Sequence, residues 1–454
     1  MPLTNDITGA IILLTAFVSI IGGTEMWTRI RRPDPELSRK VVHVASGAVC
    51  LLFPIFVGSI VSVLILALLF VIFLFVASRF RALVCLNSVD RRSHGSEFYP
   101  LAVFFLFFVS RDRWWLYFTA LLILAVADAA AALIGSRFGR HRYRVGEQDT
   151  KSLEGSIAFF AITYFVIAAL LSISSEVPTA NSLLIAFLVG MLLMGAEAIS
   201  VHGTDNIFVP VLTCYVLLKI TEKPLSEVIY QCISLVAILA LLLVFSQALR
   251  ILSIRDSIVL ILFAYACWSL GSVNWALPVF AGFGFYCLIR LMLRVRAKSE
   301  HTVTTRSLLG VILAPLFLLL VANWWYLYDI LYGAFLQAAV VAASCSTWIC
   351  ILHGHEGQLD HRYMKLGGLC FGGAVVIAGL CTLSVHHAPL HAVWIMGLLS
   401  LICVAAYDLY LQCRVRANSA VTAVRPISIL VVCTFAAAAY FFLQSHGVLQ
   451  SWEL

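Results

Sequence analysis

Asp128 stands inside a long apolar run, followed by Ala131, Ala132 and Gly135 at three, four and seven residues. Those spacings put all four on one helix face. A carboxylate within a membrane helix costs about 2.5–3.5 kcal/mol on insertion scales and marks a functional candidate. The small residues beside it would let another helix, or a nucleotide, come close. A basic stretch follows, from Gly139 and Arg140 to Arg144, and then Lys151-Ser152-Leu153-Glu154-Gly155-Ser156 opens the next apolar run. Lys151 is a point charge suited to phosphate. Backbone N–H groups at Gly155 and Ser156 would form an anion site at a helix start. Glu154 would suit Mg²⁺ or a sugar hydroxyl. Further on, Glu197 closes one run and Asp205-Asn206 opens another, with Pro210 four residues after Asn206. Asp and Asn oxygens suit Mg²⁺, which keeps water and is shared with substrate phosphates. Upstream lie Arg39-Lys40-x-x-His43 and Glu97-x-Tyr99-Pro100. Together these types point to phosphoryl chemistry. Taken singly, each has a plainer use: a helix cap, a packing seam or a basic loop.

The elements that position these groups must be membrane helices. The chain has 454 residues, 62% hydrophobic and only 12% charged. A soluble domain carries about 25% charge, so most of this surface must face lipid. A secreted domain, a disordered protein, a soluble nucleotide enzyme and a nucleic-acid binder are excluded despite the net charge of +7. A crossing needs about 20 apolar residues. Windows of that size predict an all-α polytopic protein with about 16 helices (range 14–16), near 8–27, 41–57, 59–77, 98–110, 114–135, 156–175, 182–201, 207–219, 228–248, 257–272, 275–293, 307–323, 330–350, 366–385, 390–411 and 427–445. The fourth and eighth are short enough to be re-entrant. With the N-terminus outside, 26 of the 30 basic residues fall in inside loops, as the positive-inside rule requires. All five polar clusters then lie at the cytoplasmic ends of their helices. The first apolar run ends at Thr24-Glu25-Met26-Trp27, which does not read as a cleavage site. The thirteen cysteines include no C-x-x-C pair and most sit in apolar runs, where they act as small hydrophobes. His353, His355, Glu356, Asp360 and His361 read as a hydrated loop. The polar clusters end by about residue 220, so we divide the chain into a catalytic module, 1–225, and a multi-span region, 226–454, whose role is open.

The five clusters, in this order and spacing, resemble the CTP-dependent polyprenol kinase family of phytol, farnesol and dolichol kinases, over about residues 7–245. The resemblance implies transfer of the CTP γ-phosphate to a long-chain isoprenoid alcohol taken from the bilayer, in the inner (cell) membrane of a bacterium. It implies CTP among the loops at 136–155 and 197–206, at Gly135, Gly139, Arg140, Lys151, Ser152, Glu154 and Gly155. Mg²⁺ is expected at Asp128, Asp205 or both, with Asn206. Lys151 is expected to stabilise the transferring phosphoryl group. Asp128 or Glu197 would position or deprotonate the hydroxyl. Arg39, Lys40, His43, Glu97, Tyr99, Pro100 and Pro210 complete the motifs. Bacterial members are often labelled phosphatidate cytidylyltransferase-like, so a cytidylyltransferase releasing pyrophosphate is one rival. The cytidylyltransferase signature of a Lys-Asp and a Gly-Gly-x-x-Asp-Arg-x-Asp run is absent here. A transporter or flippase is a rival of another class, but its charges should sit near the midplane of two similar halves.

Overall fold

Capping residues fix the first helix ends. Helix α1, Asp6–Arg31, begins where the Asn5 side chain accepts from the Ile7 N–H at 2.8 Å, and ends at Arg32 in the left-handed region, φ 47°. Helix α2, Pro35–Cys50, has Asp34 accepting from the Glu36 and Leu37 N–H groups. Pro35 sits where its missing N–H costs nothing. A short turn of helix, α3 (Phe53–Phe56), leads to α4, Ile60–Arg79. The carboxylate of Asp6 ties the two strokes together: it accepts from the Gly58 and Ser59 N–H groups, both at 2.9 Å, and from Ser62 Oγ at 3.0 Å.

The structure is a computed structural model that describes residues 5–80, 83–87, 94–145, 150–174, 177–249, 252–292, 305–354, 390–416 and 426–449, with a few positions between 368 and 377. After α4 come α5 (Val84–Asn87), α6 (Gly95–Val109), α7 (Trp114–Leu122), a π-helical turn at Ile123–Ala127, and α8 (Asp128–Phe138). Then come strands β1 (Arg142–Arg144) and β2 (Thr150–Ser152), and helices α9 (Leu153–Ser174), α10 (Thr179–Ile199), α11 (Asp205–Ile220) and α12 (Leu225–Leu249). Beyond these lie α13 (Ile254–Gly271), α14 (Val273–Met292), α15 (Thr305–Trp325), α16 (Tyr328–Gly354), α17 (Leu390–Arg416) and α18 (Pro426–Ser445).

Among the described residues, eleven helices are long and apolar enough to cross a membrane, and Gly95–Val109, Val273–Ile289 and Val311–Trp325 are shorter apolar helices. The chain is an all-α integral membrane protein. Each expected window has a helix at its place except 366–385, which falls mostly outside the described residues. The loop from His355 to Lys365 lies outside them too. The stretch 142–152, read as a loop, instead pairs its ends as an antiparallel hairpin, with Tyr143 opposite Lys151.

The chain divides into two compact units, Met1–Leu235 and Val236–Leu454. In the first, α1 packs on α2, α4 on α6, α6 on α11, and α8, α9, α10 and α11 follow one another. In the second, α16 packs against α14, α15, α17 and α18. Its core holds Trp348, Val404, Tyr407, Cys433 and Ala436, all nearly or fully buried.

Candidate functional site

Six elements of the first unit bring their polar residues to one end: α2, α6, α8, β2, α10 and α11. At the centre is Asp128. Lys40 reaches across from α2, its Nζ 2.5 Å from Asp128 Oδ2, with the lysine side chain only 4% exposed and the aspartate 13%. One turn on from Lys40, His43 places Nε2 3.4 Å from the same oxygen and 2.8 Å from the Leu124 carbonyl. A carbonyl only accepts, so Nε2 carries the proton and Nδ1 is left as an acceptor. Leu124 lies in the π-helical turn, and Asp128 follows that turn directly. Such single π turns shift the hydrogen-bonding register by one residue and recur at functional sites. The turn thus aims a main-chain carbonyl and a carboxylate at one imidazole. The reach of α2 depends on Gly47, where a Cβ would come within 2.5 Å of the Ala125 Cβ and 2.9 Å of the Tyr99 hydroxyl. Tyr99 sets its ring edge-on to His43, centroids 4.8 Å apart. Its buried hydroxyl has no partner.

A second ion pair lies beside the first. Lys151, on β2, donates to Glu197 Oε1 at 2.5 Å and also to the Glu197 main-chain carbonyl at the end of α10. Burial pulls the Lys151 amine down, but Glu197 and then Asp205 outweigh it and hold the group above the ordinary lysine value. Asp205 therefore belongs to this site electrically. A tight turn between α10 and α11 brings it there, with His202 (φ 54°) and Gly203 (φ 82°) in the left-handed region. The His202 carbonyl accepts from the His94 N–H at 2.9 Å, which ties the start of α6 to the same turn. Two buried oxygens here have no partner, Glu197 Oε2 and Asn206 Oδ1. Uncompensated buried acceptors are costly in a low-dielectric interior.

Between α1, α2, α4 and α6 runs a cavity of about 120 Å³. Its polar end is made by Arg39, Lys40, His43, Ser96, Tyr99 and Asn206. Its other walls are apolar, with Val63, Leu66, Ala67, Phe70 and Leu74 on one stripe of α4. Two prolines enrich the polar end. Pro100 and Pro210 have no N–H to give the carbonyls four residues back, those of Ser96 and Asn206, and both of those residues line the cavity.

Most of the other expected site residues are tied to near neighbours in sequence or in the hairpin. Arg39 pairs with Glu36 at 2.5 Å. Glu97 pairs with His94 at 2.7 Å. Glu154 accepts from the His141 N–H and contacts His141 Nδ1 at 2.8 Å, so it fastens the base of the hairpin. Ser152 is buried and accepts from the Gly155 N–H at 3.1 Å. A Cβ at Gly135 would meet Ser152 Oγ at 2.8 Å, one at Gly155 would meet the Ala131 carbonyl at 2.7 Å, and Gly139 closes on Gly135 and Ser152. Gly135 and Gly155 let α8 and α9 approach closely, and Gly139 lets the chain pass tightly over Ser152. Arg140 is exposed at the hairpin's edge. The sequence reading missed the Lys40–Asp128 pair and the cavity wall. Lys40 and Asp128 are 88 residues apart, and apolar wall residues look like any other membrane residues.

No family profile matches the chain. No solved structure matches it either. A phytol kinase from Synechocystis sp. is 31% identical over 199 residues, which is 42% of this chain and 82% of the relative.

Proposed function

The chain belongs to the phytol kinase-like family, and from that premise we propose that it transfers the γ-phosphate of CTP to a long-chain isoprenoid alcohol. The observation that carries this reading is the cavity of the first unit. It is polar at one end, beside an imidazole and an unpartnered phenol, and apolar along the rest. That is the shape of a hydroxyl joined to a hydrocarbon tail. The tail lies along α4 and the hydroxyl oxygen rests between His43 and Tyr99. His43 Nδ1 takes the hydroxyl proton, while Asp128 and the Leu124 carbonyl hold the opposite nitrogen and fix the ring's orientation. Lys40 holds Asp128 in place through their ion pair. The alcohol oxygen forms its bond to the γ-phosphorus as the bond to the bridging β,γ-oxygen breaks, and CDP leaves with that electron pair.

The triphosphate lies toward Lys151, whose charge offsets that building on the phosphoryl oxygens. Glu197 Oε2, Asp205 and Asn206 Oδ1 fit a Mg²⁺ ion, because two of those oxygens are buried and otherwise unanswered. Among the described residues no three His, Cys, Asp or Glu side chains gather where they could hold a metal ion by themselves, so substrate phosphates and water would have to complete the ion's shell. Bound there, the ion would neutralise phosphate charge. Asp128, expected earlier as a metal ligand, we assign to His43 and Lys40 instead. The site faces the cytoplasm, where CTP is found.

The test is the product formed from labelled CTP and an isoprenoid alcohol by the purified, lipid-reconstituted protein. CDP with a lipid monophosphate supports the kinase. Pyrophosphate with a CDP-lipid would replace it with a cytidylyltransferase. A cysteine label at Arg142 that reacts from the outer face would place the site on the wrong side of the membrane.

A further inference from the structure

Toward the end far from His43 the cavity is lined by aromatic rings. The wall climbs α2 from Lys40 to Cys50, a rise of about 15 Å, and continues to Phe53. There Phe17 from α1 sets its ring edge-on to Phe53, centroids 6.1 Å apart, and to Phe70 of α4 at 4.7 Å. Leu13 and Val57, which do not line the cavity, are 1% and 0% exposed. The Asp6 carboxylate pins the chain just above them through Gly58, Ser59 and Ser62. The end is therefore backed by packed and hydrogen-bonded structure, so it yields little to a longer guest.

We propose that Phe17, Phe53 and Phe70 are a chain-length stop that decides which isoprenoid alcohol is phosphorylated. This rests on the alcohol-kinase reading above. The hydroxyl must sit at His43 for chemistry, so the tail is measured from a fixed point. A tail that reaches the rings without touching them forfeits contact. A longer one pushes the hydroxyl away from the base, and misplacement of reacting atoms is costly in rate. The polar end supplies no means of telling one tail from another, because every isoprenoid alcohol presents the same hydroxyl.

The experiment uses the full-length protein in lipid, with farnesol, phytol, geranylgeraniol and a longer polyprenol, and reads kcat/KM for each. Phe17→Ala and Phe53→Ala should raise the ratio of longer to shorter alcohol by about 10-fold, the scale on which a hydrophobic pocket separates small changes in chain length. Phe53→Trp should move the ratio the other way. Phe17→Leu gives the same reading in milder form if an alanine variant fails gel filtration. Active variants whose chain-length profile matches that of the parent would overturn the stop and leave the kinase standing. A parent protein that phosphorylates none of the alcohols would overturn both.

Discussion

Both units bury charge in the membrane, and they do it differently. In the second, Asp408 is fully buried, and its oxygens accept from the Trp348 N–H at 2.9 Å and the Gln412 amide at 2.7 Å. Nearby, Gln337 bonds to Ser400 at 3.2 Å. These are bonds between and along helices, set in a core of Cys, Val, Ala and aromatic side chains. In the first unit, Lys40–Asp128 and Lys151–Glu197 are ion pairs from four different elements. Lys40 also lines a cavity, and unpartnered oxygens stand close by. A buried carboxylate alone therefore does not mark a site. What marks one is convergence: several ionisable groups, from separate elements, around open space with polar capacity left over.

This contrast can be broken by substitution. The largest effect should come from Lys40→Met, which leaves Asp128 without its lysine; losing one member of a buried pair costs about 3–5 kcal/mol. Thermal unfolding in detergent should show it, and Lys40→Met combined with Asp128→Leu should recover much of the stability without recovering turnover. Next, Lys151→Ala should lower turnover with CTP and Mg²⁺ by at least about 10²-fold. Asp408→Asn, whose neighbours can still donate to it, should cost only about 1 kcal/mol and leave turnover per folded molecule unchanged. Equal losses from both would erase the distinction between the units.

Smaller changes sharpen it. Gly155→Ala forces a Cβ against the Ala131 carbonyl and should destabilise by about 1–3 kcal/mol. Gly284→Ala in α14 meets nothing within 4 Å and should be neutral by the same melt. A chain ended near residue 250 should keep measurable kinase activity, because every group we assign to the chemistry precedes residue 235. A monodisperse truncation that binds CTP but phosphorylates no alcohol would show that the later helices complete the site. The least change is expected with pH. Lys151 is held above its ordinary value, so the stability it contributes is complete below the unfolded value. That contribution is lost only as pH climbs through the higher folded one. Melts from neutral to mildly alkaline pH should show no step that Lys151→Met removes.

Much of this was legible beforehand, and the rest was hidden for physical reasons. Helix positions could be read because a 20-residue apolar run in lipid has one good backbone solution. Asp128, Lys151, Glu197 and Asp205 stood out because charge is rare in such runs. Their partners did not, since the match of Lys40 to Asp128 is made by packing across distant segments. Gly135, Gly139 and Gly155 could be picked out beside the charged residues, but their close approach to Ser152 and to the Ala131 carbonyl emerges only in the folded chain. The link of Glu154 to His141 was hidden because it depends on the hairpin, and a pairing as short as Arg142–Arg144 with Thr150–Ser152 gives almost no periodic signal. The Phe17–Phe53 contact had no signal at all, as one phenylalanine among thirty.

The Lys40–Asp128 pair also bears on how the chain is made. Translation delivers α2 to the bilayer first, carrying a lysine whose partner in the folded protein lies 88 residues further on. A lone lysine stem can snorkel its amine to the headgroups and wait there. A lone aspartate is too short for that. When the helix bearing Asp128 emerges, its counter-charge is already in the membrane, and the two can meet while that helix is still leaving the translocon. The long cation comes early and the short anion late, which is the order that spares the bilayer an unpaired carboxylate.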